Sequence, residues 1–214
     1  MPIDAEFAVT PGPRCACLLL LDTSHSMHGA PLEALNSGLQ TFQTDIQDDP
    51  LARQRVDVAV LTFGGTVNPV QEFTLASSFV APTLTAGGNT PMGHAILEGI
   101  RMVKNRKQEY KDNGILYYQP WVFMITDGAP TDEWRQAADL VRAETAARSL
   151  SFFAVAVNDA DLTVLKAITD RVLKLDGISF RELFLWLSAS QKRVSTSRPT
   201  EQTMLPAATF GSPV

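Results

Sequence analysis

Continuous apolar runs and apolar stripes at helical spacing alternate along this chain. Residues 15–21, Cys-Ala-Cys-Leu-Leu-Leu-Leu, predict a strand buried on both faces. Pro31 then leads Leu32, Leu35, Leu39, Phe42 and Ile46, an amphipathic helix that stops near Asp48-Asp49-Pro50. Residues 55–63 predict a second strand, and Gly64-Gly65 turns it into a third at 67–75. That turn is too short for a parallel crossover, so the third strand is expected to be antiparallel and at the sheet edge. Thr90-Pro91 has the form of a cap followed by a first-turn proline, and the helix continues through Ile96, Leu97, Ile100 and Val103 towards Lys107. Strands are expected at 121–125, 151–157 and 172–175. Between them lie a helix opening at Thr131, with Asp132 and Glu133 in its first turn, and a short helix at 161–169. Phe180, Leu183, Phe184 and Leu187 share one face of a closing helix.

This alternation predicts an α/β fold: a doubly wound, Rossmann-like, mostly parallel sheet of about six strands with helices on both faces and one antiparallel edge strand. A chain of 214 residues that is 45% hydrophobic can bury a substantial core in one domain. Residues 188–214 are rich in Ser, Thr and Pro and show no sustained period. The domain is therefore placed at 1–195, with 196–214 as an extended or disordered tail. Met204, Leu205 and Phe210 are the tail residues able to dock on the body.

A formal net charge of −5 supplies no basic surplus to neutralise phosphates, which argues against nucleic acid as a partner. The opening Met1-Pro2-Ile3-Asp4-Ala5-Glu6 is acidic where a signal peptide is positive, and residues 15–21 are far shorter than a membrane span. A cytoplasmic protein without a membrane span is expected. Cys15 and Cys17 point to the same face of the first strand and read as small buried core residues in a reducing compartment.

The first strand ends in Asp22-Thr23-Ser24-His25-Ser26, which sends one carboxylate and two hydroxyls to the mouth of the sheet. Hard cations such as Mg²⁺ take oxygen ligands of this kind at about 2.0–2.1 Å. Gly87-Gly88-Asn89-Thr90-Pro91 places a Thr just before a helix, and Ile125-Thr126-Asp127-Gly128 places a second Asp after another strand. In a doubly wound sheet, ligand sites form beyond the carboxyl ends of the strands, so these distant oxygens share one rim. Each piece also has an ordinary structural reading. Asp22 can be a turn residue, Ser24, Ser26 or Thr90 a helix cap, and Asp127-Gly128 a turn pair. His25, His28 and His94 lie nearby, but hydroxyls dominate the cluster and favour hard ions over zinc.

The three segments in this order resemble the metal-ion-dependent adhesion site of von Willebrand factor A (VWA) domains. The likeness extends from Cys15 to about Ser195. It implies that Asp22, Ser24, Ser26, Thr90 and Asp127 bind a metal, Mg²⁺ first, with Mn²⁺ or Ca²⁺ as alternates. It implies a non-enzymatic module that binds a protein partner's Asp or Glu carboxylate through the ion, with Thr90 and Asp127 exchanging direct and water-mediated roles. The words Thr126-Asp127-Gly128-Ala129-Pro130-Thr131-Asp132 and Phe184-Leu185-Trp186-Leu187-Ser188-Ala189-Ser190 resemble the bacterial tellurium-resistance TerY-type branch. That resemblance implies a tellurite or stress-response setting, with kinase- or phosphatase-like proteins as partners in phosphorylation signalling.

The alternative is a metal-dependent phosphotransfer enzyme of the haloacid dehalogenase class, which also follows an apolar strand with Asp. That chemistry generally needs a second Asp two positions on, where this chain has Ser24. A dinucleotide-binding site would need G-x-G-x-x-G after the first strand, and a serine hydrolase G-x-S-x-G around Ser24 or Ser26. Neither motif is present.

Overall fold

A computed structural model describes residues 12–158, 160–175, 177 and 179–196, together with the backbone of 211–213. Its sheet has the order β3-β2-β1-β4-β5-β6-β7. The strands are β1 (Cys15–Asp22), β2 (Val56–Gly64), β3 (Thr66–Leu75), β4 (Trp121–Thr126), β5 (Ser151–Ala156), β6 (Val172–Leu175) and β7 (Gly211–Pro213). Strands β2, β1, β4, β5 and β6 are parallel. The hairpin through Gly65 makes β3 antiparallel to β2 at one edge, as the short turn requires. All six strands read from the sequence are present.

Apart from a single turn at Ala52–Arg55, the α-helices among the described residues are α1 (Ala30–Asp48), α2 (Met92–Asp112), α3 (Arg135–Ala146), α4 (Leu162–Ile168) and α5 (Phe180–Thr196). Side chains alternate across β1, which sorts them into two cores. Cys15, Cys17, Leu19 and Leu21 pack with Leu35, Leu39 and Phe42 of α1 and Phe180 and Phe184 of α5. Leu18 and Leu20 face the other way, against Ile96 and Ile100 of α2, Val141 of α3 and Leu165 of α4. Helices therefore lie on both faces.

Three local expectations need correction. The helix placed at Thr131 starts at Arg135, because Asp132 is engaged elsewhere: its two oxygens accept the backbone N–H groups of Gly93 and His94 at the start of α2. Thr90 does not hold the N-cap position of α2, which falls on Pro91. The closing helix continues past Leu187 to Thr196. Its later turns bury Ser188, Ser190, Gln191 and Ser195, small or polar residues that an apolar period does not register. Gln191 Oε1 accepts from Cys15 Sγ at 3.0 Å and Ser195 O from Arg55 Nη1 at 2.7 Å, while α1 comes close to the rest of the helix. A Cβ on Gly38 would lie 2.6 Å from the Phe184 ring, and Asp45 accepts from Ser188 Oγ and, at 2.9 Å, from Lys192 Nζ.

The stretch read as a tail also adds to the sheet. Gly211–Pro213 pairs antiparallel with β6 and makes a second antiparallel edge. Residues 197–210, with Met204, Leu205 and Phe210, lie outside the described residues.

At the N-terminal end of the sheet, Asp57 of β2 is fully buried. It accepts from Arg14 Nη1 at 2.8 Å, from Arg106 Nη2 at 2.9 Å and from the Tyr110 hydroxyl. This ionic knot ties β1, β2 and α2 together at the end opposite the motif residues, which leaves the C-terminal rim to them.

Candidate functional site

Parallel pairing of β1 with β4 sets Leu21 beside Ile125, so both strands deliver their next residues to the same rim. Asp22 ends β1 and is fully buried. Its Oδ1 accepts the Ser24 backbone N–H at 2.8 Å, and its Oδ2 accepts the Thr126 hydroxyl at 2.5 Å. Thr126 Oγ1 in turn accepts the Gly128 N–H at 3.2 Å, so Asp22 and the Asp127 turn are held through one hydroxyl. Thr126 is a site residue missed by the sequence reading. Its signal was its place as the last residue of β4, next to Asp127.

The Ser24 and Ser26 hydroxyls are 3.0 Å apart, and Ser26 Oγ donates to Asp127 Oδ1 at 2.7 Å. Thr90 joins from a third loop. A Cβ built on Gly128 would sit 3.6 Å from Thr90 Oγ1 and 3.8 Å from Ser26 Oγ, so both hydroxyls border the space above Gly128. The structure thus brings all five motif residues to one place. Ser26 is exposed, while Ser24, Thr90 and Asp127 are buried.

Close backbone contacts hold the loops in this arrangement. Thr23 O accepts from Gly87 N, His25 N donates to Gly88 O, and Gly65 N donates to Asn89 O at 2.7 Å. Gly88 has φ +73°, and a Cβ there would lie 2.4 Å from the Gly65 Cα. Only glycine combines that left-handed backbone with so close an approach. Thr90 is held on its far side by Thr131, whose hydroxyl accepts from Thr90 N at 3.1 Å and whose N–H donates to Thr90 O at 2.9 Å.

The electrostatics suit a cation. Burial lifts the Asp22 carboxyl above its ordinary range, the hydrogen bonds from Ser24 and Thr126 pull it back, and the neighbouring Asp127 charge lifts it further. No lysine or arginine among the described residues enters that balance. Two carboxylates and three neutral hydroxyls form an oxygen set of the type hard divalent ions take, with a formal charge of −2.

His25 and His28 are exposed, with ring centroids 6.2 Å apart, and His94 is exposed on the first turn of α2. No group of three or more His, Cys, Asp or Glu side chains with metal-binding arrangement occurs among the described residues. Ser24, two positions after Asp22, presents a hydroxyl hydrogen-bonded to Ser26 where a phosphotransfer enzyme of the alternative class would carry an acid.

A doubly wound sheet with an oxygen cluster over the ends of β1 and β4 defines the class: an α/β domain with a rim site. The chain belongs to the von Willebrand factor type A domain family, whose model matches residues 18–176. No curated protein matches the sequence. Among solved structures the chain is similar to the pilus adhesin SpaC from Lactobacillus rhamnosus GG, with TM-score 0.68 and 15% identity over 86% of this chain and 30% of that one. It is also similar to proximal thread matrix protein 1 from the mussel byssus. There the TM-score is 0.58 and the identity 16%, over 84% of this chain and 48% of that one. A further structure of the mussel protein, with TM-score 0.56, 16% identity and the same two coverages, is described with zinc occupying its MIDAS motif. At these identities the likeness is one of fold. The chain spans less than half the length of either protein. No helix among the described residues is long and apolar enough to cross a membrane.

Proposed function

We propose that this chain is a metal-dependent protein-binding module. In this reading Asp22, Ser24, Ser26, Thr90 and Asp127 hold one divalent cation, Mg²⁺ first with Mn²⁺ or Ca²⁺ as alternates. The partner is a protein that offers an Asp or Glu carboxylate. When bound, the cation supplies the positive centre which that carboxylate completes.

The observation that carries the reading is the run of hydrogen bonds from Ser24 through Ser26 to Asp127, beside a fully buried Asp22 held by Ser24 N–H and the Thr126 hydroxyl. The chain's own residues prepare the place. Ser24 N–H and the Thr126 hydroxyl fix the orientation of Asp22, while Ser24, Ser26 and Thr90 bring oxygen without adding charge. The zinc described in the mussel protein's motif supports a divalent cation as the ligand class.

The module is read as non-catalytic, because a serine replaces the acid that phosphotransfer would use two positions after Asp22. Within the family we assign it to the bacterial tellurium-resistance TerY-type branch, on the Thr126-to-Asp132 and Phe184-to-Ser190 words. Kinase- or phosphatase-like proteins of a tellurite or stress-response system are then its partner class. We place it in the cytoplasm, a setting with which its two buried thiols, Cys15 and Cys17, are compatible. We also propose the division into a 1–195 domain and a 196–214 tail, with β7 an addition to the sheet edge.

The test is capture from native cell extract on immobilised protein, in Mg²⁺ and in EDTA, with wild type against Asp22→Ala. The reading expects a protein retained by wild type in Mg²⁺ and lost both in EDTA and on Asp22→Ala. A partner retained equally under all conditions contradicts it.

A further inference from the structure

Asp132 lies five residues after Asp127, on the loop that leads to α3, yet its carboxylate serves a different helix. Oδ1 accepts from Gly93 N at 2.9 Å and Oδ2 from His94 N at 2.8 Å, so one side chain satisfies two of the free N–H groups at the start of α2. Thr131 adds the paired bonds to Thr90 N and Thr90 O. The contact is also very close. A Cβ on Gly93 would lie 2.2 Å from Glu133 O and 2.8 Å from Trp134 Cα. Four hydrogen bonds and a glycine contact therefore join the Asp127 loop to the Thr90 loop, with every bond falling between residues 90–94 and 131–132.

We propose that Asp132 is a positioning residue for the metal site: by clamping the start of α2 to the Asp127 loop, it fixes Thr90 Oγ1 relative to Asp127 and thereby sets cation affinity. This rests on the metal-site reading above. Asp132 does not itself ligate, since both of its oxygens are turned onto backbone N–H groups. Its role is to remove the freedom of one ligand loop relative to the other, so that the cation need not order them on binding. Within α2 itself the tie to Thr90 is the Met92 N–H bond to Thr90 O at 2.8 Å, and the N-cap position, Pro91, makes no side-chain capping bond.

The test uses the full chain and Mn²⁺ as the probe, with free Mn²⁺ counted by electron paramagnetic resonance. Asp132→Ala is compared with Asp132→Asn, which keeps one acceptor oxygen. Asp161→Ala is the control: Asp161 caps α4 by accepting from Thr163 N and Val164 N, so its loss removes a similar cap from a helix that carries no motif residue. The expected result is Mn²⁺ affinity lowered about tenfold in Asp132→Ala, by less in Asp132→Asn, and unchanged in Asp161→Ala. In the metal-free protein, amide exchange at 92–94 should quicken in Asp132→Ala and stay as in wild type in Asp161→Ala. Wild type that binds Mn²⁺ while Asp132→Ala binds it as tightly overturns the positioning role alone. Wild type that takes up no Mn²⁺ overturns both this role and the metal site. Equal loss of affinity in Asp132→Ala and Asp161→Ala reduces the clamp to general stability and also overturns the proposal.

Discussion

Ser26 and Asp127 stand 101 positions apart in the chain, yet the serine hydroxyl donates to the aspartate Oδ1 at 2.7 Å. The contact exists because β1 and β4 are parallel neighbours, so the loops that leave them start side by side. It links a neutral oxygen to a carboxylate at the rim where Ser24 and Thr90 also gather. On the proposed metal-site reading, a cation entering there would exchange these hydrogen bonds for bonds to itself, with the hydroxyls already in place.

The charge on Asp22 should oppose folding when the metal is absent. Its folded-state pKa is raised, chiefly by burial, so the folded chain holds that proton more tightly than the unfolded one. Stability from this group therefore grows as pH falls from the raised value towards the ordinary carboxylate range, and ionisation above it works against folding. Asp22→Asn should give an equal or higher melting temperature than wild type in EDTA at pH 7, and a lower one in saturating Mg²⁺. A fall in both buffers would show that the carboxylate is needed for the fold itself.

Gly88→Ala should be costly. The new Cβ would lie 2.4 Å from the Gly65 Cα on a backbone with φ +73°, so one of two loops must shift. A loss of about 2 kcal/mol or more is expected in urea unfolding. Thr90 sits two residues on, so Mn²⁺ affinity should fall with it. A variant as stable as wild type would mean that the loops separate freely.

Asp57→Ala should separate stability from function. It removes a shared carboxylate from two buried arginines, Arg14 and Arg106, the latter keeping Glu109, and should cost about 3–5 kcal/mol in denaturant unfolding. The knot lies at the opposite end of the sheet from the motif. The folded variant should therefore bind Mn²⁺ as wild type does, and weakened binding would show that the two ends are coupled.

Removal of residues 197–214 should lower the melting temperature by only a few degrees, about 1 kcal/mol for a domain of this size. Strand β7 makes a three-residue ladder on β6, and α5 retains its contacts with α1. A collapse of the transition on truncation would place the end of the chain within the folding unit.

The elements legible in the sequence were those whose signal is local. Seven consecutive apolar residues marked β1, and their end located Asp22. The two-residue turn at Gly64-Gly65 made β3 antiparallel. What escaped depended on partners far along the chain. Asp132 looked like a first-turn acid of α3, but its N–H partners belong to α2, about 39 positions earlier. Helix α5 seemed to end at Leu187 because its later buried positions, Val194 apart, are Ser188, Ser190, Gln191 and Ser195. Their partners lie elsewhere in the chain: Ser188 donates to Asp45 of α1, Gln191 Oε1 accepts from Cys15 Sγ of β1, and Ser195 O accepts from Arg55 Nη1, pairings no spacing rule within α5 reveals. The five motif residues were legible as a set, whereas the bond by which Thr126 orients Asp22 spans 104 positions and left in the sequence only the position of Thr126 beside Asp127.

The central claim is tested most directly by titrating Mn²⁺ into the purified full chain and into its alanine variants, with free Mn²⁺ read by electron paramagnetic resonance. The account predicts one saturable site per chain, abolished in Asp22→Ala and Asp127→Ala. Affinity should fall about tenfold in Ser24→Ala, Ser26→Ala and Thr90→Ala, each a lost contact of the charge-assisted kind. All five variants should remain folded in EDTA by circular dichroism. A folded wild type with no saturable Mn²⁺ uptake, or uptake undiminished in Asp22→Ala, contradicts the account.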